Sequence, residues 1–285
     1  MNFEFDKERR EKVLGFGQYK VDKDIVCFLP FRGEFGWYLM NFVKRVQGFN
    51  HSNKWVFCKP GHEVLFPSAT KFFYDWSDVP DDKKAGVVAT TDEDWLKLKI
   101  LTEFNLSTDQ IHFCSPQETS WEEKISLAEF SPEINNKFDN GLNVDIVLTP
   151  RFRKVDVLRN WKPEIWQALI YRLKDLGYSI GICGAKDSTY PLLGADYYSY
   201  DYINVDSDVE LMKKSKLVVT CESGLLYLSF LCKSPTICLG LWHGDLGSIL
   251  HRPKNVFFKE CREGWENPEA LVQEIIGYMT HSYDI

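Results

Sequence analysis

The 285-residue chain is longer than one hydrophobic core usually serves, so two domains of about 140 residues each are expected. A content of 44% hydrophobic and 15% aromatic residues, with 9 Trp, 20 Phe and 13 Tyr, excludes a disordered or low-complexity protein. A formal net charge of -7, from 34 basic and 41 acidic side chains, argues against a broad nucleic-acid surface.

In chain order, residues 24–30 form a short apolar run, followed by Gly33, Gly36 and a helical pattern over 37–46, which predicts strand, glycine turn and helix. Residues 54–58 read as a second strand and 86–89 as a third. Residues 92–104 read as a helix with Trp95, Leu98 and Leu101 on one side, and 110–114 as a further strand. Between about 119 and 141 the pattern gives way to Ser, Glu, Pro and Asn, which puts a domain boundary there: 1–140 and 141–285.

The second half restarts with a strand at 144–150. A helix follows over 163–176, with Pro163 suited to its first turn and Gly177 to its end. Strands at 178–183, 216–220 and 235–239 alternate with helices at 209–214, 223–231 and 268–279. Repeated strand–helix units imply an α/β fold of two Rossmann-like domains, each with a parallel sheet whose strand C-termini bind ligands across a shared cleft.

The most informative junction is Val219-Thr220-Cys221-Glu222-Ser223-Gly224-Leu225, where a buried strand runs straight into a helix. Such a junction points unpaired backbone N–H groups and the positive helix end into one crevice, a natural seat for phosphate. Gly224 lets an anion approach the main chain, and Ser223 serves as helix N-cap or as a hydroxyl donor to phosphate. Arg151, Arg153, Lys154 and Arg159 crowd the loop after another strand, and guanidinium forks suit phosphate oxygens.

The segment from Leu217 to Gly240 resembles the donor-binding segment of the bacterial ADP-heptose:lipopolysaccharide heptosyltransferases and their GT-B relatives. That family has Asp-Ser-Gly or Asp-Thr-Gly, then His-Leu, then a strand beginning Pro-x-hydrophobic. This chain has Glu222-Ser223-Gly224, Tyr227-Leu228 and Pro235-Thr236-Ile237, with Glu in place of Asp and Tyr in place of His. Arg159-Asn160-Trp161-Lys162-Pro163 is similar to the family's basic residue before Trp-Pro, and the resemblance gives Arg159 the donor diphosphate.

In the turn Pro30-Phe31-Arg32-Gly33-Glu34-Phe35-Gly36-Trp37 the family carries its catalytic base, so the resemblance makes Glu34 that base. Arg32, Gly33, Gly36 and Trp37 then line the acceptor side of the cleft, with His243 a further candidate. Arg153, Gly184, Lys186, Glu222, Ser223 and Gly224 join Arg159 as donor-binding candidates, Glu222 or the turn 184–188 holding ribose or base.

The implied activity is a glycosyltransferase of hexosyl or heptosyl type, inverting and metal-independent. It takes a nucleotide-diphosphate sugar as co-substrate and needs no cofactor; the acceptor is a glycan or other hydroxyl compound. A DNA glycosyltransferase acting on a hydroxymethylated base, or a non-catalytic nucleotide-binding protein of the same fold, are the alternatives.

Asp206-Ser207-Asp208 spells a metal-binding pattern, but its place before a short helix predicts an N-cap. The segment 59–69 follows a strand and is expected to wall the acceptor side. Eight cysteines without a Cys-x-x-Cys, mostly in apolar runs, read as reduced and buried. A charged N-terminus and the lack of a long apolar run lead to the expectation of a cytoplasmic protein without a membrane span.

Overall fold

The computed structural model describes residues 21–31, 35–74, 93–115, 141, 143–154, 157, 160–201, 205–239, 256–259 and 267–280. The chain divides into two compact units, Met1–Asn135 and Asn136–Ile285. Each unit is built on a parallel sheet, as the alternation of strands and helices requires.

In the first unit the strands are β1 (Ile25–Phe28), β2 (Lys54–Phe57), β3 (Ala69–Phe73) and β4 (Ile111–Cys114), in the order β3-β2-β1-β4. All three pairings are parallel. Both sheet faces must therefore be covered, and strand alternation divides the side chains between them. Ile25, Cys27 and Leu29 pack with Phe57, Leu96, Ile100 and Ile111 on one face. Phe28 meets the ring of Phe49 edge-on at 5.5 Å.

The helix after β1, α1, runs through Phe35–Trp37, Tyr38–Val43 and Lys44–Gly48, and its middle segment is π-wound. Helix winding begins at Phe35, so Gly36 lies inside a helix rather than in the expected turn; Phe35 stacks on Tyr38 at 6.2 Å and draws that residue into the helix. Buried Lys54 ties the start of β2 to the end of α1, donating to the carbonyls of Val46 at 2.9 Å and Gln47 at 3.4 Å and to Ser68 Oγ at 3.0 Å.

Helix α2 (Glu93–Glu103) sits where expected, but with a different face inward. Leu96 and Ile100 are buried, whereas Trp95 and Leu98 are 52% and 63% exposed. The helix carries two apolar stripes; the sheet selects the one continued by Phe104, while Lys99 covers the Trp95 ring at 5.3 Å. β3 had no counterpart in the sequence reading, and the strand expected at 86–89 lies outside the described residues.

The second unit holds β5 (Ile146–Thr149), β6 (Ile180–Ile182), β7 (Tyr197–Tyr198), β8 (Leu217–Cys221), β9 (Thr236–Leu239) and β10 (Val256–Lys259). The sheet order is β10-β9-β8-β5-β6-β7, the doubly wound Rossmann order, with every pairing parallel. Its helices are α3 (Pro163–Asp175), α4 (Val205–Lys214), α5 (Gly224–Leu231) and α6 (Pro268–Thr280).

Pro163 opens α3 after an extended Lys162, and Gly177 takes φ +87° just beyond its end. The apolar stripe of α3, Ile165, Trp166, Leu169, Ile170 and Leu173, packs with Leu271, Val272 and Ile275 of α6 over Ile146, Leu148, Leu217, Val219, Ile237 and Leu239. Each such fully buried side chain contributes about 1.5–3 kcal/mol relative to exposure. On the opposite face, Cys238 packs with Leu226 and Phe230 of α5. α4 starts at Val205, not near 209, so Asp206 and Asp208 stand inside its first turn rather than before it.

At the N-terminal edge of this sheet, Asp145 accepts from Ser179 N at 2.8 Å and Ser179 Oγ at 2.7 Å, and pairs with Lys216 at 2.7 Å. It therefore bridges the entrances to β5, β6 and β8. Burial pushes its carboxyl up, but the lysine and the serine donors outweigh this and hold it down at about 2.

Candidate functional site

In the doubly wound order, neighbouring β5 and β8 send their following helices to opposite faces, which leaves a crevice beyond their C-terminal ends. The two strand tips are locked together there. Thr149 Oγ1 donates to Thr220 Oγ1 at 2.6 Å, and Cys221 Sγ donates to the Thr149 carbonyl at 3.9 Å. β8 then turns into α5 through Glu222 and Ser223.

Ser223 is extended, with φ -158° and ψ 176°, and its Oγ accepts from Leu225 N at 3.2 Å, so it is the N-cap of an eight-residue helix. The cap engages the oxygen lone pairs and leaves the hydroxyl proton available to an anion. Gly224 is the first helical residue; Glu222, Ser223 and Gly224 are all half-buried.

Gly184, just past β6, faces the first turn of α5. Its φ is +133°, a region for glycine, and a Cβ there would come 3.4 Å from Leu225 Cδ1 and collide with Thr189 Oγ1. Its amide donates to Ser199 Oγ at 3.2 Å and to Asp208 Oδ1 at 3.3 Å. Asp208 also receives the Ser199 hydroxyl, and burial raises its pKa against those donors. The Asp-x-Asp pattern thus pins the Gly184 turn from inside the fold.

The turn after β6 is stitched to the loop after β5. Arg151 bridges to Thr189, Phe152 N donates to Ser188 O at 2.7 Å, and Tyr190 N donates to Pro150 O at 3.4 Å. Arg151 is only 5% exposed and stands beside Cys221, where its backbone and its charge work against the burial that lifts the thiol to about 11. Asn160 clasps the loop: its Oδ1 accepts from Arg151 Nη1 and, at 3.2 Å, from Arg153 N, while its Nδ2 donates to Arg153 O at 2.7 Å.

Of the sequence-derived candidates, Gly184, Glu222, Ser223 and Gly224 lie on the turns at this edge, whereas Lys186 is exposed in a 3-10 turn, Lys186–Ser188. Arg153 is half-buried in the loop that Asn160 closes. Gly36 is buried within α1, and the Trp37 backbone belongs to the same helix. Arg159, Arg32, Gly33, Glu34 and His243 lie outside the described residues. Arg151 was among the loop cations named from sequence, but its burial and the clasp that Asn160 puts on it were not foreseen.

No family model matches the chain, and no curated protein matches it. Among solved structures, E. coli ADP-heptose lps heptosyltransferase II aligns with a TM-score of 0.53 at 13% identity, covering 89% of this chain and 98% of that one. A glycosyl transferase family 9 protein from Veillonella parvula aligns with a TM-score of 0.56 at 10% identity, covering 88% and 89%. The chain has the fold of these heptosyltransferases. The strands β5 and β8 that frame the crevice both lie in the second unit. The N-terminus of α5 and the buried Arg151 both follow strands of that unit's sheet.

Proposed function

We propose that the protein is a glycosyltransferase that moves a sugar from a nucleotide-diphosphate donor to an acceptor hydroxyl. The observation that carries this reading is the convergence, at the β5/β8 crevice, of the capped α5 N-terminus with the Gly184 turn and buried Arg151. Backbone amides at a helix N-terminus and a guanidinium on the neighbouring loop suit a diphosphate. As the anomeric carbon parts from phosphate, negative charge grows on the leaving group, and preorganised donors stabilise it without reorganising.

On this reading Arg159 and Arg153 stand with Arg151 on the diphosphate. Glu222 and the turn bearing Gly184 and Lys186 hold ribose or base. Glu34 takes the proton of the attacking hydroxyl, with Arg32, Gly33, Gly36, Trp37 and His243 on the acceptor side. Transfer is direct, inverting and independent of metal, since the cationic side chains and amides supply the positive charge. E. coli heptosyltransferase II is an ADP-heptose enzyme by name, which puts ADP first among nucleotides to try.

The test is a thermal-shift and calorimetric series with ADP, UDP, GDP, TDP and CMP. One nucleoside diphosphate should raise the melting temperature through linkage, and Arg159→Ala should weaken its binding by about 1–3 kcal/mol. Failure of all of them to bind refutes the assignment.

A further inference from the structure

We infer that Trp55, Phe73 and Phe104, three aromatic side chains on the α2 side of the first sheet, form a cage for a trimethylammonium group, with Lys71 as its internal occupant. The ligand class is a zwitterion that joins this cation to an anion, as phosphocholine does. The inference is independent of the transferase reading, because the cage uses none of the residues assigned above to donor or acceptor. Trp55 stands at the start of β2 and Phe104 on the turn leading to β4, so two of its three walls belong to the rim of strand entrances.

The parallel register sets Trp55 beside Lys71 and Phe57 beside Phe73, which puts Lys71 and Phe73 on one face of β3. Phe104 closes the third side, just before the chain turns through Asn105 at φ 50°. The rings of Trp55 and Phe104 lie 5.0 Å apart at 68°, those of Phe73 and Phe104 5.8 Å apart at 70°, and those of Trp55 and Phe73 5.7 Å apart at 56°. Rings so steeply inclined to one another are walls rather than a stack. The Trp55 wall is fixed by its Nε1, which donates to Asn53 Oδ1 at 3.1 Å, an oxygen that also accepts from Thr70 Oγ1 at 2.7 Å.

The cage already holds a cation. Lys71 Nζ lies 3.4 Å from the ring centroid of Phe104, 4.9 Å from that of Trp55 and 5.6 Å from that of Phe73. Among the described residues no carboxylate or hydrogen-bond acceptor meets this ammonium, so the ring faces are its partners. β3 ends the described sheet, and a lysine that only guarded a strand edge would extend into water, whereas Lys71 folds back over the rings. Lys71 and the three aromatic residues are all half-buried, so the cage is open to solvent rather than sealed.

The chemistry of the occupant narrows the ligand. A lysine ammonium is compact and strongly hydrated, and it gives up water to sit among rings. A trimethylammonium spreads its charge over methyl groups, has no hydrogen bonds to lose and touches several ring faces at once, the use that aromatic cages serve. Displacing Lys71 breaks no ion pair among the described residues, only half-exposed cation–π contacts. The displaced amine stays tethered at the rim, however, and there it repels a simple cation. An anion carried next to the trimethylammonium turns that repulsion into a pair, which selects phosphocholine over choline.

The test titrates the full chain with choline, phosphocholine and phosphoethanolamine by calorimetry and saturation-transfer NMR. Phosphocholine should bind at least tenfold more tightly than phosphoethanolamine and more tightly than choline, and Trp55→Ala and Phe104→Leu should each weaken it tenfold or more. Lys71→Ala should tighten choline severalfold and abolish the advantage of phosphocholine over it. Should Trp55→Ala fail to fold, Phe104→Leu and Lys71→Ala carry the test. Co-sedimentation of the wild-type chain with phosphatidylcholine vesicles, lost in Phe104→Leu, would place the ligand on a lipid headgroup; binding of free phosphocholine without it would make the ligand a soluble compound. The inference is overturned if neither phosphocholine nor choline binds, if phosphoethanolamine binds as well as phosphocholine, if Phe104→Leu binds as wild type does, or if Lys71→Ala leaves choline affinity unchanged.

Discussion

Replacing Gly184 with alanine tests the geometry of the β5/β8 crevice directly, because two separable penalties act on the new methyl group. At φ +133° any residue with a Cβ is strained, at about 1–3 kcal/mol. The methyl also drives into Thr189 Oγ1, and overpacking of this kind costs about 1–3 kcal/mol more. A combined loss of about 4 kcal/mol corresponds to a melting temperature lower by roughly 8–16 °C for a unit of this size. Removing the obstacle should recover only one part: in a Thr189→Ala background the nearest side-chain atom of residue 189 is its Cβ at 3.8 Å, an ordinary contact, so Gly184→Ala should there cost only the backbone strain. Urea titration followed by the fluorescence of Trp161 and Trp166, both buried in the same unit, gives all four corners of the cycle. An equal loss in both backgrounds would refute the Thr189 contact, and a loss below about 1 kcal/mol would refute the strained backbone.

Two further outcomes follow from the same structure. Ser223→Asp keeps an N-cap acceptor and should leave the urea midpoint nearly unchanged, whereas a negative charge at the α5 N-terminus should weaken ADP binding at least tenfold by calorimetry. Undiminished ADP affinity would place the diphosphate elsewhere. Stability should also fall as pH rises above about 9, because burial raises the folded-state pKa of Cys27, Cys58, Cys183, Cys221 and Cys232 above the 9.0 of a free thiol. The unfolded chain then loses protons that the folded one keeps, at about 1.4 kcal/mol per pH unit and thiol. Lys54 acts in the opposite direction, since burial lowers it from 10.5 to about 8 and its burial cost fades as pH climbs through that range. With five thiols against one amine, the urea midpoint at pH 10 should lie well below that at pH 8, and a flat or rising profile would contradict the buried-thiol assignment.

The second unit was the more legible in sequence, for identifiable reasons. Its central strands are short, mainly apolar runs bounded by Asp145, Gly184 or Ser223, and its helices carry explicit stops and starts such as Pro163 and Gly177. β7 is two residues, Tyr197–Tyr198, too short for any period to show. In α2 two apolar stripes compete, and only the sheet decides that Leu96 and Ile100 win over Trp95 and Leu98. The Ser223-Gly224 junction could be read because capping is a local property. The burial of Arg151 could not, since it depends on Asn160 and on a bridge to Thr189, 38 residues farther along.

The Asp145 clasp carries a lesson for redesign. Three strand entrances converge on one carboxylate, so the lower rim of that sheet behaves as a hinge pin, and insertions or fusions there should disturb every strand it fastens. The upper rim is fastened separately, by Asp208 and Asn160, each gripping its own loop. Grafting a foreign loop in place of one of these turns would alter the recognition surface while the pinned rim keeps the framework in register, which makes the upper turns the place to retarget this scaffold.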